Sequence, residues 1–334
     1  MAINLTSIQP HKVSTDLSGY ITFIYGPAKV GKTTFGSQMP GALLLAFERG
    51  YNAIPGVRAQ DITSWSEMKQ VVRELKKAEV KEMYKSIIID TVDIAADMCQ
   101  KWICNQLDIE NMGDGGWSNN SWTKYKKEFE ETFRTLAQLG YAVVFISHDK
   151  EKTIKLQNVE EYQQIGSSMQ STALSIIENM SDIIGYAHSV RDENNNYKVV
   201  LTLRSEDNSI RCGCRFKYVT PEIPFTYEAL NSALQNAINQ EAAETNGVYI
   251  TDKRNKAPEI KTYDYDDLKE KFESSVQLLM NANSSYYGPR ITQIVDKYLG
   301  KGKKVSETTR DQAEFLDLIV SEIQEDLMQN IINA

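Results

Sequence analysis

The sequence predicts an α/β protein built on a mainly parallel, doubly wound sheet, with antiparallel strands at its edge and a small helical domain at the C-terminus. Three observations carry this. Short apolar, β-rich runs alternate with helical patterns between residues 20 and 147. A glycine-rich, phosphate-binding pattern follows the first of these runs. Beyond residue 150 the alternation gives way to a turn-rich hairpin pattern and then to helices alone.

The runs are "YITFIY" (20–25), "ALLLAF" (42–47), "KSIIID" (85–90) and "YAVVFIS" (141–147). The last three are almost continuously apolar, as strands covered on both faces must be. Between them, Ser64 and Glu67 form a capping box ahead of Met68, Val71, Val72 and Leu75, which share one helical face. Residues 93–107 read as a second helix, and Tyr125, Phe129, Phe133 and Leu136 mark a third. "DIIGYAHSV" (182–190) and "NYKVVLTL" (196–203), joined around "RDENNN", read as an antiparallel edge hairpin. Residues 226–240 read as a helix.

Residues 1–240 thus form one core domain. The polar stretch 241–262, with Gly247 and Pro258, reads as a linker, and residues 263–334 as a helical domain. Its helices are expected at about 266–283, from Pro289 and from Thr309. Thr309 and Gln312 make a capping box, and Leu316, Ile319, Ile323 and Leu327 a stripe. "GKGKK" (300–304) separates the last two helices.

Composition bounds the function classes. The chain has 334 residues, 41% hydrophobic and 25% charged, an ordinary soluble balance. No apolar run reaches the length of a membrane span, and the first twenty residues lack a secretory pattern. Four cysteines in this length do not make a disulfide framework, and the C-x-C of Cys212 and Cys214 has no partner pair to complete a zinc site. A reduced, cytoplasmic protein without membrane partners is expected. A net charge of −8 excludes a protein that coats nucleic acid through bulk charge. Any nucleic-acid contact must come from local basic groups or from assembly.

The phosphate-binding pattern is Gly26-Pro27-Ala28-Lys29-Val30-Gly31-Lys32-Thr33, followed by Thr34. Its spacing is G-x4-G-K-[ST], in which inward backbone N–H groups hold phosphate oxygens and glycines allow the curvature. Lys32 is expected on the β- and γ-phosphates, and Thr33 on Mg²⁺ through its hydroxyl. Asp90 ends an apolar run, where a carboxylate supporting Mg²⁺ belongs. The expected cofactors are therefore ATP and Mg²⁺. A hydrolase also needs a group to polarise water. Thr91 rather than Glu follows Asp90, while Glu48 ends the "LLLAFE" run; as a plain residue it can also read as a solvated strand-end carboxylate.

A glutamate in that position resembles the RecA-type ATPases. The order "GPAKVGKTTF … LLLAFERG … KSIIIDTVD … VVFISHDK" is more closely similar to the small RecA-core ATPases of bacteriophages, which include single-strand annealing and recombination proteins. The resemblance covers roughly residues 18–230. It implies a RecA-like P-loop fold, Glu48 as catalytic base, and His148 as the polar residue sensing the γ-phosphate. It also implies an arginine reaching a neighbouring subunit's nucleotide. Arg215 in "RCGCRF" fits, although Gly213 stands where relatives carry lysine, a place Arg211 is a candidate to fill; Arg215 reads equally as a strand arginine on a solvated face.

By the same resemblance, segments 108–127 and 149–172 are the loops that face DNA. Trp117, Trp122 and Tyr125 would stack on bases, and Lys124, Lys126, Lys127, Lys150 and Lys152, with Lys155, would reach phosphates. Trp122 and Tyr125 read equally as the start of a helix's packed face. The expected function is an ATP-hydrolysing, Mg-dependent, DNA-stimulated recombination or annealing protein. It would bind single-stranded DNA as a ring or filament of its own copies, with a single-strand-binding or other recombination protein as a further partner. It would act in the host cytoplasm if phage-encoded. The alternative is a nucleotide-switched adaptor or assembly factor acting on proteins. A small-molecule kinase is a third reading. Its loop strand would sit beside the Asp90 strand, without the Glu48 strand intervening.

Overall fold

The computed structural model describes residues 5–16, 19–114, 120–155, 161–253 and 261–328. The chain divides into two compact units, Pro10–Pro258 and Met1–Gln9 with Glu259–Ala334.

The larger unit runs β1 (Val13–Ser14), β2 (Ile21–Gly26), α1 (Lys32–Ser37), β3 (Ala42–Ala46), β4 (Ala59–Asp61), α2 (Trp65–Glu74), α3 (Ala78–Met83), β5 (Ser86–Asp90), α4 (Val92–Leu107) and α5 (Ser121–Gln138). It continues through β6 (Ala142–Ile154), β7 (Tyr162–Ser167), α6 (Ser171–Met180), β8 (Ile183–Arg191), β9 (Tyr197–Thr202), β10 (Gly213–Cys214), β11 (Glu222–Pro224), α7 (Tyr227–Glu244) and β12 (Ile250–Thr251). The main sheet has the order β11-β9-β8-β2-β6-β5-β3-β4, parallel from β8 to β4 and antiparallel at the β9 and β11 edge. Helix α7 runs to Glu244 and β12 pairs with β1, so the stretch 241–253 is ordered structure rather than a bare tether. Pro258 lies outside the described residues.

The apolar runs place alternate side chains on opposite faces. Phe23, Leu43, Leu45, Ile87, Ile89, Val143 and Phe145 pack under α2, α4, α5 and α6. Ile24, Leu44, Ile88, Val144 and Ile146 pack under α1 and α7. Helices on both faces explain why these strands carry no polar side in sequence. The Ser64 cap forms as predicted, its side chain accepting from the Glu67 N–H.

Strand β6 departs from expectation. It does not end at residue 147 but continues to Ile154 and pairs antiparallel with β7. Its last partners in the main sheet are Gly26 of β2, opposite His148, and Asp90 of β5, opposite Ile146. Residues 149–154 therefore project as a hairpin beyond the sheet edge that carries the phosphate loop. The segment 149–172, expected as a loop, is mostly this hairpin and the start of α6.

The second unit contains α8 (Tyr265–Leu299) and α9 (Ala313–Glu322), followed by a π-helical turn Ile323–Met328. Leu268, Leu279, Ile291, Ile294, Val295, Leu316, Ile319 and Ile323 form its core. The side chain of Leu327 lies outside the described residues. The break in α8 falls at Asn283 (φ −165°, ψ 92°), not at Pro289. Asn283 caps the following segment by accepting from the Tyr286 N–H at 3.1 Å, so the helix opens before the proline reaches it. The Thr309–Gln312 box caps a 3-10 turn that leads into α9. Gly300 and Gly302 take positive φ in the connection.

Candidate functional site

The loop 26–31 connects β2 to α1 at the C-terminal edge of the parallel strands. A Cβ at Gly26 would lie 2.2 Å from the Ala187 carbonyl oxygen, so only glycine permits β2 and β8 to approach there. Gly31 at φ 102° turns the loop into α1, and Lys29 also takes positive φ. Lys32 is 6% exposed, and its Nζ donates to the carbonyls of Gly26 and Pro27, both at 2.7 Å. Burial pushes this ammonium below its ordinary pKa, against the opposing pull of Asp90, Asp149, Glu48 and Asp93. A buried cation lying along the loop carbonyls is poised for a polyanion.

Thr33 Oγ1 donates to Asp90 Oδ2 at 2.6 Å, and Asp90 is 1% exposed. Burial pushes the Asp90 carboxyl upward; the Thr33 hydrogen bond holds it back, and Glu48 adds to the rise. A Cβ on Gly50 would stand 3.1 Å from Thr33 Oγ1 and 3.8 Å from Asp90 Oδ2. The glycine thus keeps open the space beside a hydroxyl and a carboxylate, a donor set that suits a hard cation such as Mg²⁺.

Glu48 is held beside this pair by the backbone. The N–H groups of Phe47 and Glu48 both donate to the Asp90 carbonyl, at 2.7 and 3.3 Å. His148 Nε2 lies 3.7 Å from Glu48 Oε1, with the two side chains 37% and 36% exposed. Five predicted residues from four strand ends therefore converge: Lys32, Thr33, Glu48, Asp90 and His148.

Behind His148 lies a clamp that sequence reasoning missed. The His148 carbonyl accepts from the Ser168 N–H at 2.9 Å and from Ser147 Oγ at 3.0 Å. Asp93 Oδ1 accepts from Ser147 Oγ at 3.0 Å and Ser168 Oγ at 2.5 Å, and Ser147 bonds Ser167 at 2.7 Å. Asp93 joins the start of α4 to Ser147 midway along β6 and to Ser168 just past β7. In sequence it is only an acidic residue in a helix's first turn, and Gly50 only a glycine after "ER"; no local signal marks either.

Other predicted residues fall elsewhere. Cys214, next to Arg215, pairs with Ile183, and Ile183 lies opposite Thr22 near the start of β2. Arg215 is therefore about 13 Å or more from its own chain's phosphate loop at strand rise. It contacts Asp182 at 3.4 Å. Arg211 forms an ion pair with Glu178. Tyr125 is a core residue of α5 and cannot stack on a base, because the helix begins at Ser121, inside the segment read as a loop. Trp122 on the same helix is 42% exposed, and Lys124, Lys126 and Lys127 are exposed. Trp117 lies outside the described residues. In the hairpin, Lys150 and Lys152 share one face with Gln164 and Tyr162 across the register, while Asp149 and Glu151 take the other.

The order of strands separates reaction classes. The phosphate-loop strand β2 and the Asp90 strand β5 are divided by β6. The intervening strand carries His148, not Glu48, whose strand lies on the far side of β5; the sequence-based contrast with kinases named the wrong strand but the right separation. Together the fold and the loop define a P-loop ATPase. A model of the AAA domain family matches residues 18–211, more than half of the chain, and the chain belongs to that family. It is also similar to the SPbeta prophage-derived uncharacterized protein YorG of Bacillus subtilis (strain 168), 30% identical over 335 residues that span 97% of this chain and 99% of the relative. No helix among the described residues is long and apolar enough to cross a membrane.

Proposed function

We propose that this ATPase is a phage-type, RecA-like DNA recombination or single-strand annealing protein that works as a ring or filament on single-stranded DNA. The observation that carries it is the convergence of Glu48 and His148, from strands on either side of Asp90, beside the hairpin whose one face bears Lys150 and Lys152. The prophage origin of the similar protein supports a phage setting.

Each side chain has a task. Residues 26–34 cradle the ATP phosphates by backbone N–H groups, and Lys32 leaves the loop carbonyls for the β- and γ-phosphates. Thr33 and Asp90 would hold Mg²⁺, which when bound neutralises charge on the phosphates. Glu48 takes a proton from the attacking water. His148 donates to a γ-phosphate oxygen, and its carbonyl is tied to the hairpin base through Ser168. Arg215 serves the neighbouring copy's nucleotide. The hairpin lysines, with Trp122 and Lys124, Lys126 and Lys127 on α5, contact the DNA backbone and bases. The net charge of −8 makes repetition of these patches in an assembly necessary for tight binding, and a single-strand-binding protein is a further partner.

The same acidic balance favours the second reading, a nucleotide-switched adaptor or assembly factor acting on proteins. ATP turnover with Mg²⁺, measured with and without single-stranded DNA, separates them. Stimulation, with binding that weakens as salt rises, is expected; turnover indifferent to DNA and no binding at low salt would favour the adaptor. Glu48→Gln should cut turnover by about 100-fold or more while ATP is retained.

A further inference from the structure

The phosphate loop accounts for the triphosphate of the nucleotide and leaves its base without a seat. The two ends of the site are distinguishable. Thr33, Asp90 and Glu48 lie on the β6, β5 and β3 side of the loop, so the γ-phosphate end points that way. The nucleoside end must leave on the other side, toward β8, β9 and β11. One aromatic side chain stands there against the loop. Among the described residues, and setting aside Gly31's own chain neighbours, the one heavy atom within 4 Å of a Cβ built on Gly31 is Cε1 of Phe225, at 4.0 Å.

Phe225 is held firmly. It follows β11, its N–H donates to the Val199 carbonyl at 3.2 Å, and the next residue, Thr226, caps α7 by accepting from the Ala229 N–H. One face of its ring stacks on Phe35 of α1, with centroids 4.9 Å apart and planes 7° apart. Among the described residues that is its one ring contact, and the side chain is only half-buried. A flat apolar ring, fixed by the helix that begins with Lys32 and left partly exposed beside the phosphate loop, is what a nucleobase stacks on.

We propose that Phe225 is the platform for the nucleobase of the bound nucleotide. The inference rests on the nucleotide sitting on the phosphate loop as proposed above. A phenyl ring carries no hydrogen-bonding group, so it reads stacking area rather than base identity; purine nucleotides are favoured over pyrimidine nucleotides.

The test uses the full chain, Mg²⁺ and two probes, the non-hydrolysed analogue AMP-PNP and inorganic tripolyphosphate, with affinities by calorimetry. Phe225→Ala should weaken AMP-PNP about tenfold, within the range of one base–aromatic stack, and leave tripolyphosphate unchanged. Phe225→Leu, which keeps apolar volume against Phe35, should show the same split. Phe225→Trp should bind AMP-PNP as well as the parent and add an indole emission that AMP-PNP quenches and tripolyphosphate does not. Unchanged AMP-PNP binding in the alanine and leucine variants overturns the proposal. So does a parallel loss of both probes, which would make Phe225 a mere support of α1. If the parent chain binds neither probe, the nucleotide reading itself falls and takes this one with it.

Discussion

Replacing Thr33 with valine removes one oxygen and almost no volume, and it tests the electrostatics of the site. That oxygen donates to Asp90 Oδ2 at 2.6 Å, and Asp90 is 1% exposed, so bulk water has little access to replace it. A hydrogen bond to a charged group contributes about 1.5–3 kcal/mol. Thr33→Val should therefore cost the metal-free, nucleotide-free protein about 2 kcal/mol near pH 8. The pH dependence follows from the raised Asp90 carboxyl. An acid whose folded pKa lies above its unfolded pKa costs stability when ionised, and that cost disappears as pH falls through the folded pKa. Thr33 offsets part of the cost in the parent; valine offsets none. The gap between the two proteins should be widest at pH above the raised folded pKa of Asp90 and should narrow as pH falls through it. Urea unfolding followed by tryptophan emission reads this cleanly, since Trp65, Trp102, Trp117 and Trp122 all lie in the Pro10–Pro258 unit. A gap that stays constant as pH falls would refute the reasoning, because the loss would then come from packing of α1 on β5 and not from the buried charge.

Two further outcomes follow from the same geometry. Gly26→Ala drives a methyl to 2.2 Å from the Ala187 carbonyl, where paired strands on both sides cannot yield; a loss of about 1–3 kcal/mol and of ATP binding is expected, checked by thermal unfolding and calorimetry. Asp93→Ala and Ser168→Ala both remove the side-chain bond that anchors Ser168, whose backbone N–H holds the His148 carbonyl, so each should lower kcat about tenfold with KM nearly unchanged. Made together they should cost no more than either alone, as members of one network; additive losses, or a KM rise, would count against the clamp.

The layered α/β core was legible in the chain, because short apolar runs rich in β-branched residues and alternating with helical patterns read as strands buried on both faces, as Ile87, Ile88 and Ile89 are. So was the phosphate loop, whose glycines and Lys32 are fixed by local backbone chemistry. Glu48, Asp90 and His148 were legible as strand-end residues, since side chains at one edge of a parallel sheet must gather there. The remaining features depend on strand pairing. The extension of β6 into a hairpin was hidden because residues 149–154 alternate charges without an apolar face. The order β2-β6-β5-β3, the Asp93–serine clamp, the Gly50 clearance and the seat of Phe225 all join residues distant in sequence. Such contacts leave no periodicity in the chain, because their energy is realised only once separate strands have chosen their neighbours.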